Sequence, residues 1–138
     1  MKREILFRGK LRHNGTWVYG CLVISSQGTP YIIPSDIIEQ DGHHLQITSD
    51  NAYWVDLSTV GQYTGLKDKS GTKIFEGDII KYYEDGIELI AGYVIYKDCN
   101  FYVKGVSKLY GNCRLDDLDD NITIEVIGNI HDNKYLLK

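Results

Sequence analysis

Residues 60–80 read VGQYTGLKDKSGTKIFEGDII, a stretch in which short apolar runs alternate with tight turns. Residues 60–65 and 72–75 have the pattern of strands, and Glu76-Gly77-Asp78 opens another strand that starts at Ile79. Glycine reaches a positive φ without a Cβ clash, and an aspartate in a turn accepts hydrogen bonds from free amides. We therefore expect four structural residues whose replacement unfolds the chain: Gly65, Gly71, Gly77 and Asp78.

Turn signals recur every eight to twelve residues on both sides of this stretch, a spacing typical of sandwiches and barrels. Asn14-Gly15 is the strongest of them, and it predicts a tight hairpin between strands at 4–12 and 16–25. Asp85-Gly86 predicts a second hairpin. Residues 35–40 fit either a helical turn capped by Ser35 or a strand that pairs with Leu45 and Ile47. Further elements are a helical turn near 115–120 and a last strand at 122–130.

The composition favours the same class of fold. The 138 residues include 17 Ile, 8 Val and 11 Tyr but only 2 Ala, and β-branched and aromatic side chains suit a pleated sheet. A helical protein would use more Ala. We expect a single domain, residues 1–138, that is mainly β with few short helical turns. Its expected parts are an N-terminal β-meander at 1–55 and a barrel-like part at 60–138, where Glu76-Gly77-Asp78 is similar to the entry into an SH3-like barrel.

Charge is distributed unevenly along the chain. The net charge is −4, yet the first twelve residues hold five basic side chains and one acidic one. On an ideal strand, Arg8 and Arg12 share one face while Ile5 and Phe7 share the other, so burial of the apolar set exposes the basic set. An anionic partner would be steered to this end. Any partner surface is expected to involve Arg3, Arg8, Arg12 and Trp17. The alternative is an edge strand that Lys and Arg protect from self-association.

No pattern of catalytic or metal-binding residues is recognisable. Residues 116–121 are acidic, but a calcium loop that starts at Asp117 would need Gly where Ile122 stands and Glu where Gly128 stands. Gly71-Thr72-Lys73 lacks the order of a phosphate-binding loop. The three cysteines, without CxxC spacing, indicate reduced thiols. We expect no metal, no cofactor and no catalytic residue.

The sequence also predicts where the protein works. Basic residues interrupt the apolar N-terminal segment, which therefore lacks the core of a signal peptide. No apolar run approaches the roughly 20 residues of a membrane-spanning helix. We expect a cytoplasmic protein without membrane contact. The sequence does not fix its oligomeric state and is compatible with a homo-oligomer.

Three segments resemble the YopX family of phage and prophage proteins. They are residues 3–8 (REILFR), the whole of residues 60–80, and residues 126–133 (VIGNIHDN), and they occur in the expected order over almost the whole chain. The family usually carries Ala-Trp after the Phe-Arg pair, where this chain has Gly9-Lys10. The resemblance implies a mostly β fold, a phage or prophage origin and a bacterial cytoplasm. It implies no known reaction, so no catalytic residue is carried over.

Three functional hypotheses follow. The first is a small non-enzymatic binding or accessory protein of a phage, with an unknown protein or nucleic-acid partner. The second is a nucleic-acid-associated accessory protein that uses the basic N-terminal strands. The third is a small hydrolase, for which the carboxylates of Asp78, Glu84 and Asp85 would have to surround one cleft.

Overall fold

The computed structural model describes residues 3–41, 46–105, 112–118 and 121–137. Within these ranges eleven strands far outweigh one short α-helix, which confirms the predicted mainly β class. In chain order the elements are β1 (Phe7–Lys10), β2 (Trp17–Ile24), β3 (Pro30–Pro34), α1 (Ser35–Asp41), β4 (Tyr53–Trp54), β5 (Gly61–Lys67), β6 (Lys73–Phe75), β7 (Asp78–Glu84), β8 (Ile87–Lys97), β9 (Asn100–Gly105), β10 (Cys113–Arg114) and β11 (Thr123–Asn129). Single turns of 3-10 helix lie at Leu57–Thr59, Leu115–Asp117 and Lys134–Leu137.

The bounds of these elements decide the secondary structure of two short segments. The chain forms α1 from Ser35, so the helical alternative at this position holds, and Leu45, the partner in the strand alternative, lies outside the described residues. The helical turn expected at 115–120 is a 3-10 helix over Leu115–Asp117, and Asp119 and Asp120 lie outside the described residues.

The chain divides into two compact units, Met1–Tyr63 and Thr64–Lys138. In the first unit β2 pairs in antiparallel register with both β1 and β3, and β3 pairs with β4. Phe7 and Arg8 of β1 also pair with Gln62 and Gly61 at the start of β5. The buried residues Ile32, Ile33 and Val55 lie at the centre of this unit.

A further set of bonds joins the ends of β1 and β4. Leu11 and Val55 form an isolated bridge, the Asp56 N–H donates to the Lys10 carbonyl at 2.8 Å, and the Arg12 N–H donates to the Trp54 carbonyl at 3.2 Å. The segments that follow β1 and β4 are therefore bonded to each other. The first four strands form the meander expected from the sequence, and these bonds link its last strand back to its first.

The Asn14-Gly15 hairpin is looser than predicted. The last pair of the β1–β2 ladder joins Lys10 to Trp17, so six residues connect the strands. Gly15 has a φ of 73°, its N–H donates to the Leu11 carbonyl, and the Asn14 Oδ1 accepts the N–H of Thr16. Asn14 bonds through its side chain instead of taking the positive φ that a two-residue Asn-Gly turn requires.

In the second unit the strand order of the large sheet is β10-β9-β8-β7-β11, all antiparallel. Asp85-Gly86 makes the predicted two-residue turn between β7 and β8, with φ of 51° and 80°. The described strands form an open sheet with β10 and β11 at its edges. One face of the sheet packs a core of buried side chains: Ile74, Ile80, Tyr82, Ala91, Val94, Val103 and Leu115.

Gly71 and Gly77 lie in the turns on either side of β6, and Gly65 lies within β5. Gly65, Gly71 and Gly77 all have φ near 90°, in the region that glycine reaches without strain. Asp78 is buried, and its Oδ2 accepts the Phe75 N–H at 2.8 Å. These contacts give each residue a structural reason to be present, while the loss of folding on replacement stays a prediction.

Candidate functional site

The antiparallel pairing of β1 and β2 places basic and aromatic side chains on one face of the first unit. Arg8 lies opposite Tyr19 and Lys10 lies opposite Trp17, and directly opposed residues share a face. The Arg8 guanidinium carbon is 4.7 Å from the centre of the Trp17 ring, and the Lys10 Nζ is 5.4 Å from it. Two cations thus interact with one indole, an arrangement that fixes both side chains.

Arg8 is not exposed, contrary to the expectation from strand alternation. It is 5% exposed, whereas Ile5, expected in the core, is 56% exposed. Ile5 lies ahead of β1, which begins only at Phe7, and the Arg8 side chain packs against Trp17 of the neighbouring strand β2. Because β1 pairs with β2 on one side and with β5 on the other, it is not an edge strand, so the edge-protection alternative is wrong for this segment.

A second basic and aromatic pair lies at the junction of β1 and β4. The guanidinium carbon of Arg12 is 4.7 Å from the centre of the Trp54 ring, and the backbone bond from Arg12 to Trp54 holds the two residues side by side. Arg12 is exposed, and Trp54 is 52% exposed despite this contact. Trp54 was not predicted as a site residue, because no local sequence pattern links it to Arg12.

A groove of about 430 Å³ opens beside this pair. None of the six residues that line it is acidic, and two of them, Tyr53 and Trp54, are exposed aromatic residues. The next carboxylate along the chain, that of Asp56, accepts the N–H and the Oγ–H of Ser58 at 3.0 and 2.8 Å and caps a 3-10 helix. The lining residues are Leu11, Arg12, His13, Ala52, Tyr53 and Trp54.

The four predicted partner residues therefore do not form one cluster. Arg8 packs with Trp17, Arg12 packs with Trp54 beside the groove, and Arg3 is exposed in the segment before β1. We call the six groove-lining residues, together with the neighbouring Lys10, the groove surface. The Arg12 guanidinium lies 4.7 Å from the centre of the half-exposed Trp54 ring, which suits an anionic ligand with a flat or apolar part.

The carboxylates of the hydrolase hypothesis are not brought together. Asp78 begins β7 and Glu84 ends it, so about 20 Å of extended strand separates the two residues. Asp78 is also buried and bonded to backbone, while Asp85 lies in the exposed turn. Among the described residues, no group of three or more His, Cys, Asp and Glu side chains is placed to hold a metal ion.

None of the described helices has the length and apolar character needed to cross a membrane.

Comparison with known proteins identifies a family for this chain. No curated protein matches the sequence. The family model described as YopX protein matches residues 6–138, nearly the whole chain. This match covers both units and all eleven strands, so the chain belongs to the YopX family.

Proposed function

We propose that this protein is a small non-enzymatic binding protein of a phage or prophage, active in the bacterial cytoplasm, and that its N-terminal unit recognises an anionic partner. The family supports the origin. The observation that supports the proposal most strongly is the groove surface. There the exposed Arg12 lies over the half-exposed Trp54, beside a groove that no acidic residue lines.

The distribution of charge supports an anionic partner. The only Lys and Arg residues of the first unit are the five in its first twelve residues, and the next basic residue along the chain is Lys67. Lys10 ends β1 and Arg12 lies two residues beyond it, and the cationic group of each contacts a tryptophan ring. Ordered cations at one place attract an anion more selectively than the same charges on mobile side chains.

The aromatic part of the surface favours a nucleic-acid partner as the more specific form of this function. An acidic protein segment needs only the cations, whereas a nucleic acid also uses exposed aromatic rings as stacking platforms. Trp54 and Tyr53 are exposed next to Arg12, in the position where such stacking would occur.

Charge reversal tests the proposal. The variant Arg3→Glu/Arg12→Glu changes two exposed residues and leaves buried Arg8 intact. Labelled polyglutamate, duplex DNA and single-stranded DNA serve as probes, with binding followed by fluorescence anisotropy at low and at physiological salt. We expect at least one probe to bind to the parent protein, with an affinity that falls as the salt concentration rises. Charge reversal should lower that affinity roughly tenfold, which corresponds to about 1.4 kcal/mol.

The matched control is Lys97→Glu/Arg114→Glu, which changes the net charge equally at exposed positions of the second unit. Its affinity should stay within about twofold of the parent, since long-range charge effects are screened by salt. If none of the probes binds, or if both double variants lose affinity equally, the proposal is wrong. Circular dichroism of each variant establishes that folding is retained.

A further inference from the structure

We infer that the groove surface binds single-stranded nucleic acid, with an unpaired base stacked at Trp54 and a neighbouring phosphate held by Arg12. The inference rests on the proposed function and makes it specific.

Trp54 has the exposed area that stacking needs. It remains 52% exposed while Arg12 contacts its ring, so part of the indole is open to a ligand. A tryptophan buries a large area when it is covered and is a preferred platform for bases, because every base has a π face. The neighbouring Tyr53 is also exposed and lines the same groove.

Arg12 supplies the complementary contact. A guanidinium that lies over an aromatic ring keeps its N–H donors in its own plane, where they are available to a phosphate oxygen. The stack with Trp54 holds the side chain in place before a ligand arrives, and this lowers the entropy lost on binding. His13 lines the groove beside it and adds a further donor.

The groove fits a base better than it fits a duplex or an acidic peptide. Its volume of about 430 Å³ lies within the range of small-ligand sites, about 300–1,000 Å³. A duplex hides the faces of its bases, so it cannot stack on Trp54. An acidic peptide would use Arg12 but would leave the two exposed aromatic residues, Tyr53 and Trp54, without a role.

Lys10 extends the cationic part along the chain. It is the last residue of β1, two residues before Arg12, which lies in the turn that follows the strand. Its Nζ lies over Trp17, so its position is also restrained.

The test uses the two tryptophans of the chain, Trp17 and Trp54. The variant Trp17→Phe keeps an aromatic ring beneath Arg8 and Lys10 and leaves Trp54 as the only tryptophan reporter. Titration with an oligothymidylate of about 15 nucleotides should quench its emission, because a stacked base quenches the indole. Labelled oligothymidylate followed by anisotropy gives the affinity of variants that lack Trp54.

We expect Trp54→Ala to weaken oligothymidylate binding about tenfold, Trp54→Phe to retain most of the affinity, and Arg12→Gln to weaken it several-fold with a shallower salt dependence. Two matched controls lie in the second unit. Tyr135→Ala removes an exposed aromatic residue and Arg114→Gln removes an exposed arginine, and both should bind as the parent does.

Three outcomes overturn the inference: no quenching in Trp17→Phe, parental affinity of a folded Trp54→Ala, or equal losses in the site and control variants. If polyglutamate or duplex DNA binds in a way that requires Arg3 and Arg12 while oligothymidylate does not bind, the inference fails and the proposed function stands. If no anionic probe binds, both fail.

Discussion

Asp68 joins three backbone segments of the second unit through one carboxylate. Its Oδ1 accepts the N–H groups of Ser70 and Thr72, both at 2.9 Å, and its Oδ2 accepts that of Val126 at 3.0 Å. Burial by itself would raise the pKa of Asp68, but the hydrogen bonds from Val126, Thr72 and Ser70, with the charge of Lys69, outweigh it and lower the pKa below 3.8. The aspartate therefore closes the turn between β5 and β6 and also ties it to β11.

We expect Asp68→Asn to destabilise the protein by about 1–3 kcal/mol at neutral pH, because an amide NH₂ faces backbone donors where a carboxylate oxygen accepted them. The pKa of Asp68 is lower in the folded state, so its contribution is present above the unfolded value near 4 and is lost as pH falls through the folded value. The stability gap between parent and variant should thus shrink below about pH 4.

Urea unfolding at neutral and acidic pH measures that gap, with exposed Asp116→Asn as the control. A constant gap across this range, or equal effects of the two substitutions, would show that the carboxylate of Asp68 does not carry the stability assigned to it.

At the scale of elements, β8 depends on one glycine. The β7–β8 register shifts between Ile80 and Lys81, and Gly92 lies opposite that irregularity with a φ of 149°. A Cβ at this position would overlap the carbonyl oxygen of Lys104 on β9. The eleven-residue strand can follow its path between β7 and β9 only because residue 92 has no side chain.

Gly92→Ala should therefore lower the melting temperature more than Gly86→Ala does. Gly86 also has a positive φ, but a Cβ there meets open space, so its replacement costs only about 1 kcal/mol of backbone strain. Gly92→Ala has a similar backbone strain, and in addition its Cβ would push β8 away from β9. Thermal unfolding by circular dichroism compares the two variants, and equal shifts would contradict a role for close strand approach.

The features that could be predicted from the sequence are those that neighbouring residues or the composition determine. The Asp85-Gly86 turn, the positive φ at Gly77 and the excess of strand follow from neighbouring residues or from composition. The link between Leu11 and Val55 does not, because it joins residues 44 positions apart. The place of Trp54 beside Arg12 depends on that link, so the candidate site was predicted only in part.

At the scale of the whole molecule, the proposed binding of single-stranded nucleic acid gives charge and stacking separate tasks. Residues 13–66 contain no Lys or Arg, so the positive charge of the first unit lies in its first twelve residues, while the chain as a whole carries −4. Such an asymmetry orients an approaching polyanion over a distance of about 10 Å at 0.1 M salt. In the proposed complex Trp54 would act only at contact, after the partner has arrived.

The rates of oligothymidylate binding should therefore divide between these two features. Exposed Arg3 lies outside the groove surface, so Arg3→Gln should lower the association rate and leave the dissociation rate nearly unchanged. Trp54→Ala should raise the dissociation rate about tenfold with little effect on association, since stacking is made only in the complex. Stopped-flow fluorescence at several salt concentrations measures both rates. An association rate that does not change with salt, or an Arg3→Gln effect confined to dissociation, would mean that the N-terminal charges act as contacts and do not steer the partner.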